Sequence, residues 1–239
     1  MHQNSRAIVL HTVKYSETSI ITKLYTENNG LVSFIVKGVR TVKGKSKAAL
    51  FQPLSILDIS YAHRQNKNLQ FIKEYRLAHT YHSIPFDSAK SAVGMFLLEV
   101  INKALKEYEP DTEMFEFIQH ALEWLDTEPL NPDFHLLFLI HFSRFLGFVP
   151  NNNYTADCNC FNLTEGIFTK KYDTQFTVLT ETESRYIYEL LESNLFQKKN
   201  VHTHLADRKR TLKNLIQYYS FHLENFQLKS PEVLEVVMS

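Results

Sequence analysis

No stretch of this chain stays apolar for long. The start, MHQNSRAIVLHTVKYSETS, mixes polar residues with an alternating pattern and lacks the uninterrupted run of a secretory leader. No later segment reaches the roughly 18 apolar residues that a membrane span requires. Cysteine is scarce as well. Cys158 and Cys160 are the two present, too few for a disulfide framework, and residues one apart bridge poorly. Both shortages point to a cytoplasmic protein. Catalytic signatures are missing too. There is no HExxH and no glycine-rich phosphate loop, and no Ser/His/Asp or Cys/His pair stands out among eleven scattered histidines. The expectation is a protein that is not an enzyme.

What is present describes folded cores, with 44% hydrophobic and 13% aromatic residues over 239 positions. The zero net charge hides a polarised molecule. Residues 1–80 carry twelve Lys and Arg against four acids, whereas residues 81–239 carry fourteen against twenty-two. A first third at +8 beside a remainder at −8 implies a polyanionic partner for the basic part.

That basic part reads as strands. Ala7–Val13 and Ser19–Thr26 are largely β-branched runs, separated by the polar turn Lys14-Tyr15-Ser16-Glu17-Thr18. Asn28-Asn29-Gly30 tolerates positive φ and predicts a tight hairpin into Leu31–Val36. Two more strands, Phe51–Ala62 and Leu69–Thr80, flank the turn Arg64-Gln65-Asn66-Lys67-Asn68. Five short strands in some 80 residues predict a closed OB-type barrel.

From Phe86 the period becomes helical. A buried helix is expected around Ala92–Leu105, a second after an Asp111 cap with Met114, Phe115, Ile118, Leu122 and Leu125 on one face, and a third opened by Pro132 and stopped at Gly147. Residues 151–175 read as a loop insert. Thr180-Glu181-Thr182-Glu183 predicts a capped helix, and a long helix from His204 to Phe226 precedes a short one led by Pro231. The fold class is therefore α+β, a five-stranded OB barrel at 1–80 and a helical domain at 81–239.

The strongest local signal is Lys37-Gly38-Val39-Arg40-Thr41-Val42-Lys43-Gly44-Lys45-Ser46-Lys47, with five bases, no acid and two glycines. Cations neutralise phosphates and glycine permits close backbone approach, so Lys37, Arg40, Lys43, Lys45 and Lys47 are candidate DNA contacts. Lys14 and Tyr15 in the first turn and Arg64 and Lys67 in the last join them. A solvated loop is the bland alternative. Tyr15, Tyr25, Phe34, Phe51, Tyr61, Phe71 and Tyr75 could stack on unpaired bases; most are expected inside, no more than one or two are expected to act as base platforms, and Tyr15 is the least committed to a core.

Other clusters carry less. Cys158-x-Cys160 with His202-x-His204 would be an unusual zinc set, and two free cysteines is the better reading. His202, His204 and Asp207 would be the residues of a metal nuclease, but no carboxylate cluster accompanies them. Arg208-Lys209-Arg210 is a second basic cluster, either an extension of the nucleic-acid track, a dock for an acidic peptide, or a solvated helix face. RNA binding through the barrel and a non-enzymatic interaction scaffold remain alternative functions.

Ala7-Ile8-Val9-Leu10, Tyr15-Ser16-Glu17-Thr18-Ser19, Tyr25-Thr26-x-x-x-Gly30, Val36-Lys37-Gly38-Val39-Arg40 and Leu50-Phe51-Gln52-Pro53-Leu54 together resemble the N-terminal domain of the RecO family of bacterial DNA repair proteins. Leu136–Gly147 and Leu228-Lys229-Ser230 extend the likeness loosely. The resemblance implies an OB domain followed by helices, and a recombination mediator without catalysis. It implies binding of single- and double-stranded DNA, annealing of complementary strands, contact with the acidic C-terminal tail of single-strand-binding protein, and loading of RecA together with RecR. Many members carry a four-cysteine zinc module. Here only Cys158 and Cys160 occupy that position, so no zinc is expected. For the acidic tail, Arg144, a lone base among Phe142, Phe145 and Leu146, is the first candidate, with a structural salt bridge as its competing explanation.

Overall fold

The protein's computed structural model describes residues 2–40, 45–62, 68–105, 110–170, 177–197, 201 and 204–237. They form two compact units, Met1–Thr127 and Glu128–Ser239.

The first unit is built on a closed barrel of five strands: β1 (His2–Lys14), β2 (Ile20–Thr26), β3 (Gly30–Val36), β4 (Ile56–Ala62) and β5 (Leu69–Leu77), in the order β1-β2-β3-β5-β4. The long β1 serves two partners. Its His2–Ile8 stretch pairs with β4 and its Ala7–Lys14 stretch with β2, with a bulge between Val9 and His11 that lets the strand turn the corner. Parallel pairing of β3 with β5, at Ser33–Leu69, Phe34–Gln70 and Ile35–Phe71, closes the barrel. This is the OB architecture expected from the strand pattern.

The β2–β3 turn holds one left-handed residue, Gly30 at φ 61. Thr26 Oγ1 donates to the Gly30 carbonyl at 2.8 Å and accepts from the Asn29 amide at 3.2 Å, so neither asparagine needs positive φ. One assignment differs. Phe51 does not start a strand. It ends a 3-10 turn, Ala49–Phe51, that follows a short helix α1 (Lys45–Ala48). The turn drops its ring into the barrel, 4.8 Å from Tyr75.

Alternation puts Ala7, Val9, Ile20, Leu24, Phe34, Val36, Leu57, Ile59 and Tyr61 inside, with Val39 and Phe51 plugging the core. Each fully buried apolar side chain is worth about 1.5–3 kcal/mol, more than the ~1 kcal/mol net of a typical hydrogen bond, so this interior dominates the barrel's stability.

Two helices belong to the same unit, α2 (Ser88–Ala104) and α3 (Thr112–Thr127). α2 begins four residues before the expected Ala92 because Asp87 caps it, accepting from the amides of Ala89 and Lys90. Asp111 caps α3 as expected, accepting from Met114 N at 2.9 Å. Gly94 lets α2 lie against the β4 approach, where an added Cβ would stand 2.9 Å from Leu54 Cδ1. A polar knot ties the linker to α3. Buried Asp126 accepts from the amides of His82, Ser83 and Ile84, and Lys90 Nζ donates to the Asp126 carbonyl at 2.9 Å.

The second unit contains α4 (Phe134–Phe145), a hairpin of β6 (Cys160–Asn162) and β7 (Ile167–Thr169), α5 (Glu181–Leu191), α6 (Leu205–His222) and α7 (Ser230–Val237). Gly147, at φ 83, ends α4 as predicted, with its amide and that of Phe148 donating to the carbonyls of Arg144 and Ser143. The hairpin replaces part of the expected loop insert. Its strands have three residues each, too short for a period to be seen, and aromatic packing holds them: Phe161 on Phe168 at 5.0 Å and on Tyr218 at 5.6 Å. Thr180 and Glu183 form the predicted capping box. Among the described residues no helix is long and apolar enough to cross a membrane.

Candidate nucleic-acid interface

The register fixes which barrel residues face outward. Ile20 and Val36 point into the core, so their neighbours Ile21 and Ile35 point out, and pairing extends that level to Val13 on β1 and Phe71 on β5. Val13, Ile21, Ile35 and Phe71 thus form one apolar row across four strands. Its two ends lie open, with Val13 43% and Phe71 46% exposed. The next level down is His11, Lys23, Ser33 and Leu69.

Helices α2 and α3 roof the far end of this same face. Tyr25 packs 5.8 Å from Phe115 and its hydroxyl donates to the Asp111 carbonyl. Lys23 Nζ donates to Asn102 Oδ1 at 3.4 Å, and its burial lowers the ammonium pKa. The face is therefore covered at Lys23 and Tyr25, and nearer the β1–β2 turn Val13 and Phe71 stay open on either side of Ile35, which is itself buried.

Of the sequence-predicted cations, Lys14 and Lys37 lie at the β1–β2 turn end of the barrel. Lys14 closes β1 in register with Ile20 and Val36, and Lys37 follows directly. Lys37 Nζ stands over the Phe71 ring, 5.1 Å from its centroid. Tyr15, 59% exposed, sits in the adjoining turn. Arg40 is engaged within the protein. Its guanidinium donates to the carbonyls of Ser16 at 2.7 Å and Glu17 at 3.4 Å, and its amide donates to the Thr18 carbonyl, so it ties the β3 exit to the Tyr15 turn. Lys47 is exposed on α1, whose Ala48 packs against the barrel core. Lys43, Arg64 and Lys67 lie outside the described residues, as does the side chain of Lys45.

Competition for these cations is low. Arg76 pairs with Asp58 at 2.9 Å and Arg6 with Glu27 at 3.8 Å, both away from the row. Lys14, Lys37 and Lys47 meet no carboxylate among the described residues. The sequence offers Phe71 as one of seven aromatics that could stack on bases, without distinguishing it, and the apolar row leaves no signal there. The bulge in β4–β5 pairing between Ser60 and Tyr61 breaks the alternation that would have placed Phe71 outside.

In the second unit, Arg144 is exposed on the last turn of α4 and pairs with no carboxylate among the described residues. Of its apolar neighbours, Phe142 is wholly buried and Phe145 and Leu146 are half-buried. A groove of about 410 Å³ does lie between α6 and the start of α7, lined by Lys209, Arg210, Leu212, Lys213, Ile216 and Pro231. Arg210 reaches Glu183 at 3.9 Å across its rim. Arg208 is half-buried on the same helix.

Among the described residues no group of three or more His, Cys, Asp or Glu could hold a metal ion. Asp207 accepts from the Tyr186 hydroxyl at 2.9 Å, and His202 lies outside the described residues. Cys160 is buried with Sγ 3.6 Å from Asn159 Oδ1, and Cys158 sits in the preceding turn. Two thiols do not fit a structural zinc, which takes four ligands.

Comparison with known proteins agrees with the architecture. The family model for the recombination protein O N terminal matches residues 1–81, and that for its C terminal matches residues 85–232. The DNA repair protein RecO of Flavobacterium psychrophilum is 36% identical over 242 residues, covering both chains completely. That of Phocaeicola vulgatus is 36% identical over 248 residues, again covering all of both, and that of Bacteroides fragilis is 35% identical over 98% of each.

Proposed function

Because this chain belongs to the RecO family of DNA repair and recombination proteins, we propose that it is a non-catalytic mediator that binds single- and double-stranded DNA and anneals complementary strands. The observation that carries this reading is the open ends of the barrel's apolar row, Val13 and Phe71, with Tyr15 and Lys37 beside them and no ion pair on Lys14 or Lys37 among the described residues. Phosphates bind the cations with release of counterions, and the apolar row receives bases. Nothing in that arrangement activates a nucleophile, so the surface holds strands and leaves their bonds intact. Working with RecR, the protein exchanges single-strand-binding protein for RecA.

The partner reading rests on the groove beside α6. An apolar floor of Leu212, Ile216 and Pro231 under Lys209, Arg210 and Lys213 suits a peptide that ends in apolar residues and carries acids before them. The acidic tail of single-strand-binding protein has that chemistry. Arg208 and the exposed Arg144 add positive potential on the same unit.

Annealing of two labelled complementary oligonucleotides, bare and coated with cognate single-strand-binding protein, tests the proposal. Acceleration in both states, lost at high salt and on neutralising Lys37, Lys43, Lys45 and Lys47, is the expected result. Acceleration of bare strands alone would leave the DNA surface standing and remove the tail-binding groove. No acceleration in either state would remove the mediator reading.

A further inference from the structure

Among the phenylalanines of the barrel strands, Phe71 is the exposed one. Its neighbours on the inward face, Phe34, Phe51 and Tyr61, are almost completely buried, yet Phe71 keeps 46% of its surface in solvent in the middle of a sheet. Leaving nearly half of an aromatic residue in solvent costs hydration free energy that burial would have avoided. The pairing with Ile35 anchors its backbone in the seam between β3 and β5, so the ring is presented by rigid structure and not by a loop. What lies beside it is a cation with no carboxylate among the described residues, Lys37, whose ammonium occupies a position over the ring.

We propose that Phe71 is a stacking platform for an unpaired nucleobase, and that Lys37 serves as its gate, leaving the ring for the adjacent phosphate when the base arrives. This rests on the DNA-binding reading and adds to it the class of strand that this face selects. The exchange is favourable in its parts. An ammonium over an exposed phenyl ring is a weak contact, a base stacked on the ring is a stronger one, and the displaced cation gains a phosphate partner. In a duplex both faces of every base are already stacked, so the ring offers a duplex nothing that neighbouring bases do not supply. The remaining lysines hold either form by charge. Phe71 therefore separates single strands from double strands on a surface whose lysines cannot.

The test uses the full chain and two probes, a labelled oligothymidylate and a labelled duplex of equal length, titrated by fluorescence anisotropy at several salt concentrations. Phe71→Ala is expected to weaken oligothymidylate binding about tenfold while leaving duplex affinity and both salt slopes unchanged. Phe71→Leu, which keeps apolar bulk without the ring, is expected to behave like the alanine variant. Phe71→Trp is expected to restore binding and to show fluorescence quenching by oligothymidylate beyond that of the native Trp124. Far-ultraviolet dichroism and thermal melting establish that each variant is folded. Equal loss for both probes, no loss for either, or full binding by the leucine variant would overturn the proposal. If the wild-type protein shows no salt-sensitive affinity for either probe, the DNA-binding reading itself falls, a result distinct from all of these.

Discussion

Arg40 donates to the Ser16 carbonyl at 2.7 Å, so a cation from the basic segment after β3 fixes the turn that carries Tyr15. Charge and geometry are thereby separated in one residue. Arg40→Lys keeps the charge and loses the planar fork that reaches both Ser16 and Glu17. The expected outcome is faster hydrogen exchange at the Ser16 and Arg40 amides and a loss of a few-fold in single-strand affinity. A bond of this kind at the surface is worth about 0.5–1.5 kcal/mol. Unchanged exchange with unchanged affinity would mean the turn holds itself.

The exposed lysines make salt a direct probe of the interface. With three to five phosphate contacts, the log–log dependence of single-strand affinity on salt is expected to have a slope of roughly −2 to −4. Each of Lys14→Ala, Lys37→Ala and Lys47→Ala is expected to reduce the magnitude of that slope by roughly 0.7. A lysine whose removal leaves the slope untouched does not contact phosphate.

Asp126 governs acid stability of the first unit. Burial pushes its carboxyl up, but the amides of His82, Ser83 and Ile84 and the Ser83 hydroxyl outweigh this and hold it down at about 2. A pKa depressed on folding stabilises the folded state above the unfolded value near 4, and that stabilisation is lost as pH falls through about 2. The contribution amounts to roughly 2 kcal/mol at neutral pH. Asp126→Asn is expected to lower the denaturation midpoint at pH 7 and to flatten stability between about pH 4 and pH 2, measured by urea unfolding across that range. Parallel wild-type and variant curves in that window would exclude the linkage.

Gly166 controls the hairpin of the second unit. It adopts φ +69, and a Cβ there would stand 2.9 Å from the Tyr218 hydroxyl, which itself donates to the Phe148 carbonyl. Gly166→Ala is expected to destabilise by about 2–4 kcal/mol, from left-handed strain and the displaced tyrosine together. Near-ultraviolet dichroism would follow the Phe161, Phe168 and Tyr218 cluster directly.

What could be read from residues alone follows from how local the determinant is. Alternation and the Asn28-Asn29-Gly30 turn placed four strands because each signal lies within a few residues. The Thr180–Glu183 capping box is equally local, and so is Gly147. Phe51 was misplaced because an apolar residue after a loop reads alike as strand or plug, and only the barrel end decides between them. Phe71 and the roofing of Tyr25 by Phe115 depend on contacts between distant segments and on a bulge, none of which leaves a period in the chain. The basic run was visible at once, whereas the use of Arg40 as a tie required its partner carbonyls.

The barrel is closed by a seam of three residue pairs between β3 and β5. Every other junction is a longer antiparallel ladder. Opening that one seam would bare two strand edges, each a template for pairing with another molecule. The barrel stays without open edges only while Ser33, Phe34 and Ile35 remain zipped to Leu69, Gln70 and Phe71. Anything that spans this junction from outside would act on the protein as a staple.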